Sequence, residues 1–345
     1  MKMFLSDNNS GVHQNILDAI CKCNREHAYP YGDDEYSKNA EEKIKSILNS
    51  KPEVFFVTTG TAANVIAISS MINSYEGVIC TDTAHINIDE CGALEKLNGT
   101  KLIYTPHKNG KLDLAKVKPL LDSIGDEHHV QPKIISISQP TELGTVYTVN
   151  EIRTISEFAH KNGLFLHIDG ARLANAAVSL NTSFEKMITE TNVDILSFGG
   201  TKNGLMFGEA IVSFNKQASK KLKFIRKQNC QLMSKMRYLS AQFLAYLDNN
   251  LWYKNAENSN NMAKLLINRI QEIDEIKILY PVETNIIFMT MPKILSDELL
   301  KDYFFHIMNT ETNMARIVTS FDTTEAEINQ FADHIFETCR KLGIN

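Results

Sequence analysis

The chain has 345 residues, 43% of them hydrophobic, enough for a large domain and a smaller one with cores of their own. A formal charge of −5 and a pI near 6.1 give no overall basic footprint, so no nucleic-acid partner is expected; small molecules or other copies of the chain are. No apolar run approaches membrane-spanning length, the start turns polar too soon for a signal peptide, and Cys21, Cys23, Cys80, Cys91, Cys230 and Cys339 lack metal-type pairing, which suits a soluble cytoplasmic protein with reduced thiols.

The chain opens on a polar stretch, Ser6-Asp7-Asn8-Asn9-Ser10-Gly11, followed by an amphipathic helix near 13–26. An acidic, aromatic loop over 29–36 leads to a charged helix at about 37–49. A strand at 54–57 then runs through Thr58-Thr59-Gly60-Thr61-Ala62-Ala63-Asn64 into an apolar helix at 65–72. Strand, small-residue turn and helix together offer backbone N–H groups and a positive helix end to a phosphate. Short strands at 77–80, 101–104 and 133–138, separated by helical or loop segments, predict a mostly parallel sheet covered by helices. A helix over 150–161, capped by Asn150 and stopped at Gly163, feeds a strand at 164–168 that ends in Asp169-Gly170-Ala171-Arg172. The next strand, 193–198, turns at Gly199-Gly200 towards Lys202, and another follows over 209–214. Residues 216–256 read as a Lys- and Arg-bearing helix that includes Lys235-Met236-Arg237, then an apolar helix over 239–247. Beyond them a helix at 260–273, strands at 276–280 and 285–289, a helix at 295–308 and the run Arg316-Ile317-Val318 predict a smaller α+β unit. The expected division is 1–250 for the large domain with its N-terminal segment and 251–345 for the small one.

Charged groups at the carboxyl ends of parallel strands are where such sheets bind ligands. Lys202 in a cramped glycine turn suits an amine that loses its proton to form a Schiff base; a P-loop is excluded because Asn203 follows the lysine. Asp169, Lys202 and the Gly60-Thr61 turn, on one sheet edge, meet the needs of pyridoxal 5'-phosphate: an amine for the aldehyde, a carboxylate for the pyridine nitrogen, a helix N-terminus for the phosphate.

These residues, with Ser6-Asp7-Asn8, Tyr31-Gly32-Asp33-Asp34, Ala84-His85, Gln139-Pro140-Thr141-Glu142-Leu143-Gly144 and Ala315-Arg316, run in an order that resembles the threonine aldolase family of pyridoxal-phosphate enzymes, closest to the phenylserine-aldolase type of low-specificity L-threonine aldolase. The resemblance covers nearly the whole chain. It implies fold type I, the aspartate-aminotransferase-like architecture of a large mostly parallel sheet domain with a smaller C-terminal α+β domain. It implies Lys202 as the Schiff-base lysine, Asp169 under the pyridine nitrogen, His85 stacked on the ring, and Gly60, Thr61, Ala62 and Thr201 around the phosphate. Ser6, Arg172 and Arg316 match groups that hold the substrate carboxylate, Tyr36 a pocket-lining tyrosine, and His85 or His128 the base for the substrate hydroxyl. Lys202 follows Gly-Gly-Thr where the commoner branch has Cys-Leu-Ser, and a glycine cluster before Met-Arg in that branch is here Met233-Ser234-Lys235-Met236-Arg237, which leaves open whether Lys235 or Arg237 reaches the phosphate, and from which subunit.

The implied reaction is cleavage of L-threonine, L-allo-threonine or phenylserine to glycine and an aldehyde, in a homotetramer with active sites at dimer interfaces. The N-terminal stretch, which would need pinning by a neighbour, is the sequence feature behind the oligomer. The constellation by itself leaves β-elimination, transamination and decarboxylation open, since these differ only in which substrate bond stands upright on the ring.

Overall fold

The structure, a computed structural model, describes residues 3–344. Its larger sheet holds seven strands in the order β1-β7-β6-β5-β4-β2-β3: β1 (Glu53–Val57), β2 (Glu76–Thr81), β3 (Lys101–Thr105), β4 (Gln131–Ser138), β5 (Phe165–Gly170), β6 (Ile195–Gly199) and β7 (Glu209–Ser213). The run from β6 to β3 is parallel, while β7 lies antiparallel to both β6 and β1. Helices cover both faces, so the central strands are buried on each side, and β6 and β7 are buried at every residue. The register pairs Asp169 with Ser197, which brings the carboxyl ends of β5 and β6 to one edge. Asp169 and the turn to Lys202 therefore open on the same side of the sheet.

The smaller sheet is antiparallel, in the order β10-β11-β9-β8, from β8 (Lys277–Ile278), β9 (Ile286–Thr290), β10 (His306–Asn309) and β11 (Met314–Val318). The helices Leu251–Ile270 and Glu325–Leu342 share a core with this sheet, built around Leu266, Ile287, Ile317 and Phe331. The first of them begins against the other core, where Leu251 and Ala256 are buried.

The N-terminal segment is pinned by its own chain. Phe4 donates its N–H to Phe304 O at 2.6 Å, accepts from Val318 N–H at 2.9 Å, and stacks on Phe331 at 4.8 Å. A neighbouring subunit is therefore not needed to order Ser6 and Asp7, contrary to the expectation from their position.

Several boundaries differ from the sequence reading for local reasons. The helix Val149–Lys161 is capped by Thr148, whose hydroxyl accepts from Glu151 N–H in a capping box, and not by Asn150. The basic helix ends at Gln228, and residues 229–236 form an irregular link before the helix Arg237–Tyr246. The helix expected over 295–308 is Lys293–Leu299; the chain then turns over 300–305, and β10 starts at His306 because it pairs with β11, a long-range partner that local periodicity does not reveal.

Candidate active site

Lys202 follows β6 through a single 3-10 turn, Thr201–Asn203. The turn can pass so close to β5 because Gly199 has no side chain: a Cβ there would lie 2.6 Å from Ala171 Cα. The Lys202 amine opens into a pocket lined by Gly60, Asn64, His85, Asp169, Arg172 and Glu142 among others, and it has no hydrogen-bond or ion-pair partner among the described residues. The positive charge of Arg172, and burial after it, hold the amine below the usual lysine range. Asp169 accepts Ala171 N–H at 3.0 Å and Asn64 Nδ2 at 2.7 Å, so its carboxylate is fixed at the strand end.

His85 opens the short helix after β2. Its Nδ1 lies 2.8 Å from the buried Glu90 Oε1, and this hydrogen bond lifts the imidazole above its ordinary value despite burial. Glu142 accepts the His85 backbone N–H at 2.8 Å and the Ser138 hydroxyl at 2.5 Å, and burial pushes this carboxyl up. Beside Lys202, burial lifts Glu209 to about 7 while it accepts Gly200 N–H at 3.0 Å. His167 is enclosed between Ser136 Oγ at 2.9 Å and Ser197 Oγ at 3.0 Å; burial pushes it down to about 4, so it is a neutral strut.

Arg172 meets an acid: its Nε and Nη2 grip Asp7 at 2.6 and 2.9 Å. Burial alone would raise the Asp7 carboxyl, but the charge and hydrogen bonds of Arg172 outweigh it and hold the group down. Asn285 Nδ2 adds a third donor to Asp7 at 3.1 Å. Arg316, on β11, reaches Leu5 O at 3.2 Å and keeps a buried Nε without a partner. Burial and the neighbouring Arg172 charge press on this second guanidinium, which suits a shared anion. Ser6 caps the short turn after it by accepting Asn8 N–H at 3.2 Å, next to Asp7.

At the other end of the pocket, α1 (Gly60–Ser69) starts directly after β1, with Thr59 as its cap. The Thr59 hydroxyl accepts Ala62 N–H and the Thr59 carbonyl accepts Ala63 N–H, which leaves the amides of Gly60 and Thr61 for an anion. A Cβ at Gly60 would meet nothing within 4 Å, so the cradle is open. Gln231 props it from behind by accepting both Thr58 N–H and its hydroxyl, at 2.9 and 2.7 Å. Thr201 Oγ1 accepts Gly208 N–H at 3.0 Å beside Lys202.

Three expected residues stand outside this pocket within one chain. His128 is exposed on the turn before β4, with its backbone N–H on Asp126. Tyr36 lines a separate surface hollow with Ala19, Lys43 and Leu244. Arg237 binds the carbonyls of Arg25 and Glu26 at 3.2 and 3.0 Å. Conversely, Asp7, Asn64, Glu90, Glu142 and Glu209 belong to the site and had no role assigned from sequence. Asn64 and Glu142 stand inside the motifs themselves, so their position next to Gly60 and Pro140 was the available signal.

An unpartnered lysine amine, a carboxylate fixed at the adjacent strand end and an open helix N-terminus fit pyridoxal phosphate, and together with the doubly covered sheet they define a fold type I pyridoxal-phosphate enzyme. The beta-eliminating lyase family matches residues 3–293. A low-specificity L-threonine aldolase of a Pseudomonas species is 37% identical over 97% of both chains, and one from Pseudomonas aeruginosa is 36% identical over 97% of both. A solved threonine aldolase from Leishmania major superimposes with a TM-score of 0.93 at 32% identity, covering 98% of this chain and 99% of that one. A histidinol-phosphate aminotransferase from Clostridium acetobutylicum, at 16% identity and a TM-score of 0.74, shares the fold. The chain belongs to the beta-eliminating lyase family, and within it to the threonine aldolases.

Proposed function

We propose that this protein cleaves L-threonine, and L-allo-threonine or phenylserine in its place, to glycine and an aldehyde. The observation that carries this reading is the free Lys202 amine facing Asp169, His85 and Arg172 in one pocket, in a chain that matches threonine aldolases from end to end. Bound on Lys202, pyridoxal phosphate would supply a carbonyl for the substrate amine and a ring that accepts the electron pair of the broken bond.

The chain's own groups do the rest. Gly60 and Thr61 offer free amides that would hold the phosphate, with Thr201 close to Lys202, and the Asp169 carboxylate would serve the ring nitrogen. Arg172 and Arg316 hold the substrate carboxylate, with Ser6 at the same edge, so that the Cα–Cβ bond stands where its electrons can leave. His85 takes the β-hydroxyl proton through Nε2, since Nδ1 is engaged by Glu90. The Glu90 hydrogen bond lifts the imidazole above its ordinary value, so its neutral, proton-accepting form gains as the pH rises.

A homotetramer with sites completed between subunits is part of the same reading. Its support is that His128, Tyr36 and Arg237 lie outside the pocket of one chain, and that Tyr29, Tyr31 and Phe224 are exposed apolar rings. We also place the boundary between the large and small units at 250/251, where the helix Leu251–Ile270 leaves one core for the other.

The test is a product assay. Threonine should yield acetaldehyde and glycine, and Lys202→Ala should abolish both while the protein stays folded. 2-Oxobutyrate and ammonia instead of aldehyde would replace this reading with β-elimination at the same site.

A further inference from the structure

We propose that Asn64 and Glu90 are a positioning pair that ties His85 to Asp169, fixing the His85 ring with its Nε2 as the proton-accepting atom. Asn64 Nδ2 spends its two hydrogens on two acids, Asp169 Oδ2 at 2.7 Å and Glu90 Oε1 at 2.8 Å. The same Glu90 oxygen receives His85 Nδ1 at 2.8 Å. One carboxylate oxygen thus serves an amide from α1 and an imidazole from the short helix after β2, and the amide holds the Asp169 carboxylate of β5. Asn64 is 1% exposed and Glu90 is 4% exposed, so water does not compete for these bonds. Asn64 Oδ1 and Glu90 Oε2 are buried without partners, the geometry expected when both side chains are held for the bonds they do make.

The carboxylate can only accept, so the shared hydrogen bond puts the proton on His85 Nδ1 and leaves Nε2 to take one. The other groups that bear on the ring are Asp169, which favours its charge, Lys202, which opposes it, and Glu142, which accepts the His85 backbone N–H. Because Asn64 and His85 share one oxygen, they compete for it. Removing the amide leaves the whole of that oxygen to the imidazole, and removing the negative charge takes it away.

This assignment rests on the role given to His85 above, and the experiment separates the two. The ring titration of His85 is followed by NMR in histidine-labelled holoenzyme, with His85→Asn for assignment, beside the pH profile of kcat/KM for threonine. Glu90→Gln, which keeps shape and the accepting oxygen, should lower the His85 midpoint by roughly one pH unit, a tenfold loss of proton affinity. Asn64→Ala should raise it, and the rise should vanish in the double variant. Midpoints that stay fixed, or move the same way in both single variants, overturn the pair. Should Asn64→Ala not fold, the isosteric Glu90→Gln decides the matter by the same shift. If the midpoints move as stated while the acid limb of kcat/KM stays in place, the pair stands and His85 is not the base.

Discussion

Asp7→Asn isolates the contact that holds the substrate-facing guanidinium. Asp7 is 4% exposed and accepts both Nε and Nη2 of Arg172, so the two charges form a nearly buried fork. Asparagine keeps the shape and one acceptor, but it turns the other position into an N–H that faces a guanidinium N–H. Breaking a buried pair by removing one charge costs about 3–5 kcal/mol, and the retained acceptor places this variant near the lower figure, about 3 kcal/mol. Thermal unfolding should therefore shift down by several degrees. The same loss should appear in binding. Asp7 grips the Nε edge of Arg172, which leaves the Nη1 side for a substrate carboxylate; a guanidinium that is no longer braced should raise the KM for threonine roughly tenfold, about 1.4 kcal/mol, with kcat changed less. Aldehyde release coupled to an alcohol dehydrogenase at fixed pH measures both constants. A fall in KM would refute the argument, because it would mean that Asp7 sits in the seat the substrate takes and competes with it.

Other outcomes follow from single features. Gly144 has φ +82°, and a Cβ there would lie 2.9 Å from Ile286 O, so Gly144→Ala should lose about 2 kcal/mol or more of stability and loosen the loop that carries Glu142; an unchanged melting temperature would contradict this. His167 binds a proton near pH 6.5 when unfolded and near 4 when folded, so between these values the unfolded state takes up more protons and stability falls as pH falls. The loss amounts to about 3 kcal/mol across that window, and His167→Gln should flatten the acid side of a stability–pH curve. Asp169→Asn should retain the Schiff-base lysine's visible absorbance with added cofactor yet lower kcat roughly a hundredfold or more; native turnover would remove Asp169 from its role.

The elements that carry the site were legible because local rules and the fold agree on them. The β5 and β6 ends and the run to Lys202 follow from apolar strands broken by glycine and followed by charge, and lie within a residue or two of where the sequence puts them, whereas the helix expected over 65–72 already starts at Gly60, because the Thr59 cap draws the small-residue turn into its first turn. What local rules missed depends on partners far along the chain. β10 exists because it pairs with β11, and Asp7 belongs to the site because Phe4 is clamped between Phe304 and Val318, some three hundred residues away. Asn64 could be seen as part of a motif, but its use could not, since both of its acids come from other segments. Glu209 was hidden by its own strand: it is a carboxylate at the start of an apolar run, and only the pairing of β7 between β1 and β6, which sets it beside Val57 and Gly199, brings it next to the Lys202 turn.

Arg172 has a second consequence beyond binding, and it links substrate docking to the state of the lysine. Its charge is the largest influence holding the Lys202 amine below the usual range, ahead of burial, while Asp7, Asp169 and Glu209 pull the other way. Before substrate arrives, Arg172 therefore favours the neutral amine that can attack an aldehyde. A carboxylate docked on Arg172 cancels part of that push, and the same amine then binds a proton more readily, as a group that must shuttle one should. Arg172→Gln removes the push permanently. The pH at which Lys202 captures added pyridoxal phosphate, followed by visible absorbance, should move upward in this variant and stay near the native value in Arg172→Lys, which keeps the charge although it loses the fork. Equal midpoints in the native protein and Arg172→Gln would show that burial alone sets the amine, and the link between docking and proton transfer would fall with it.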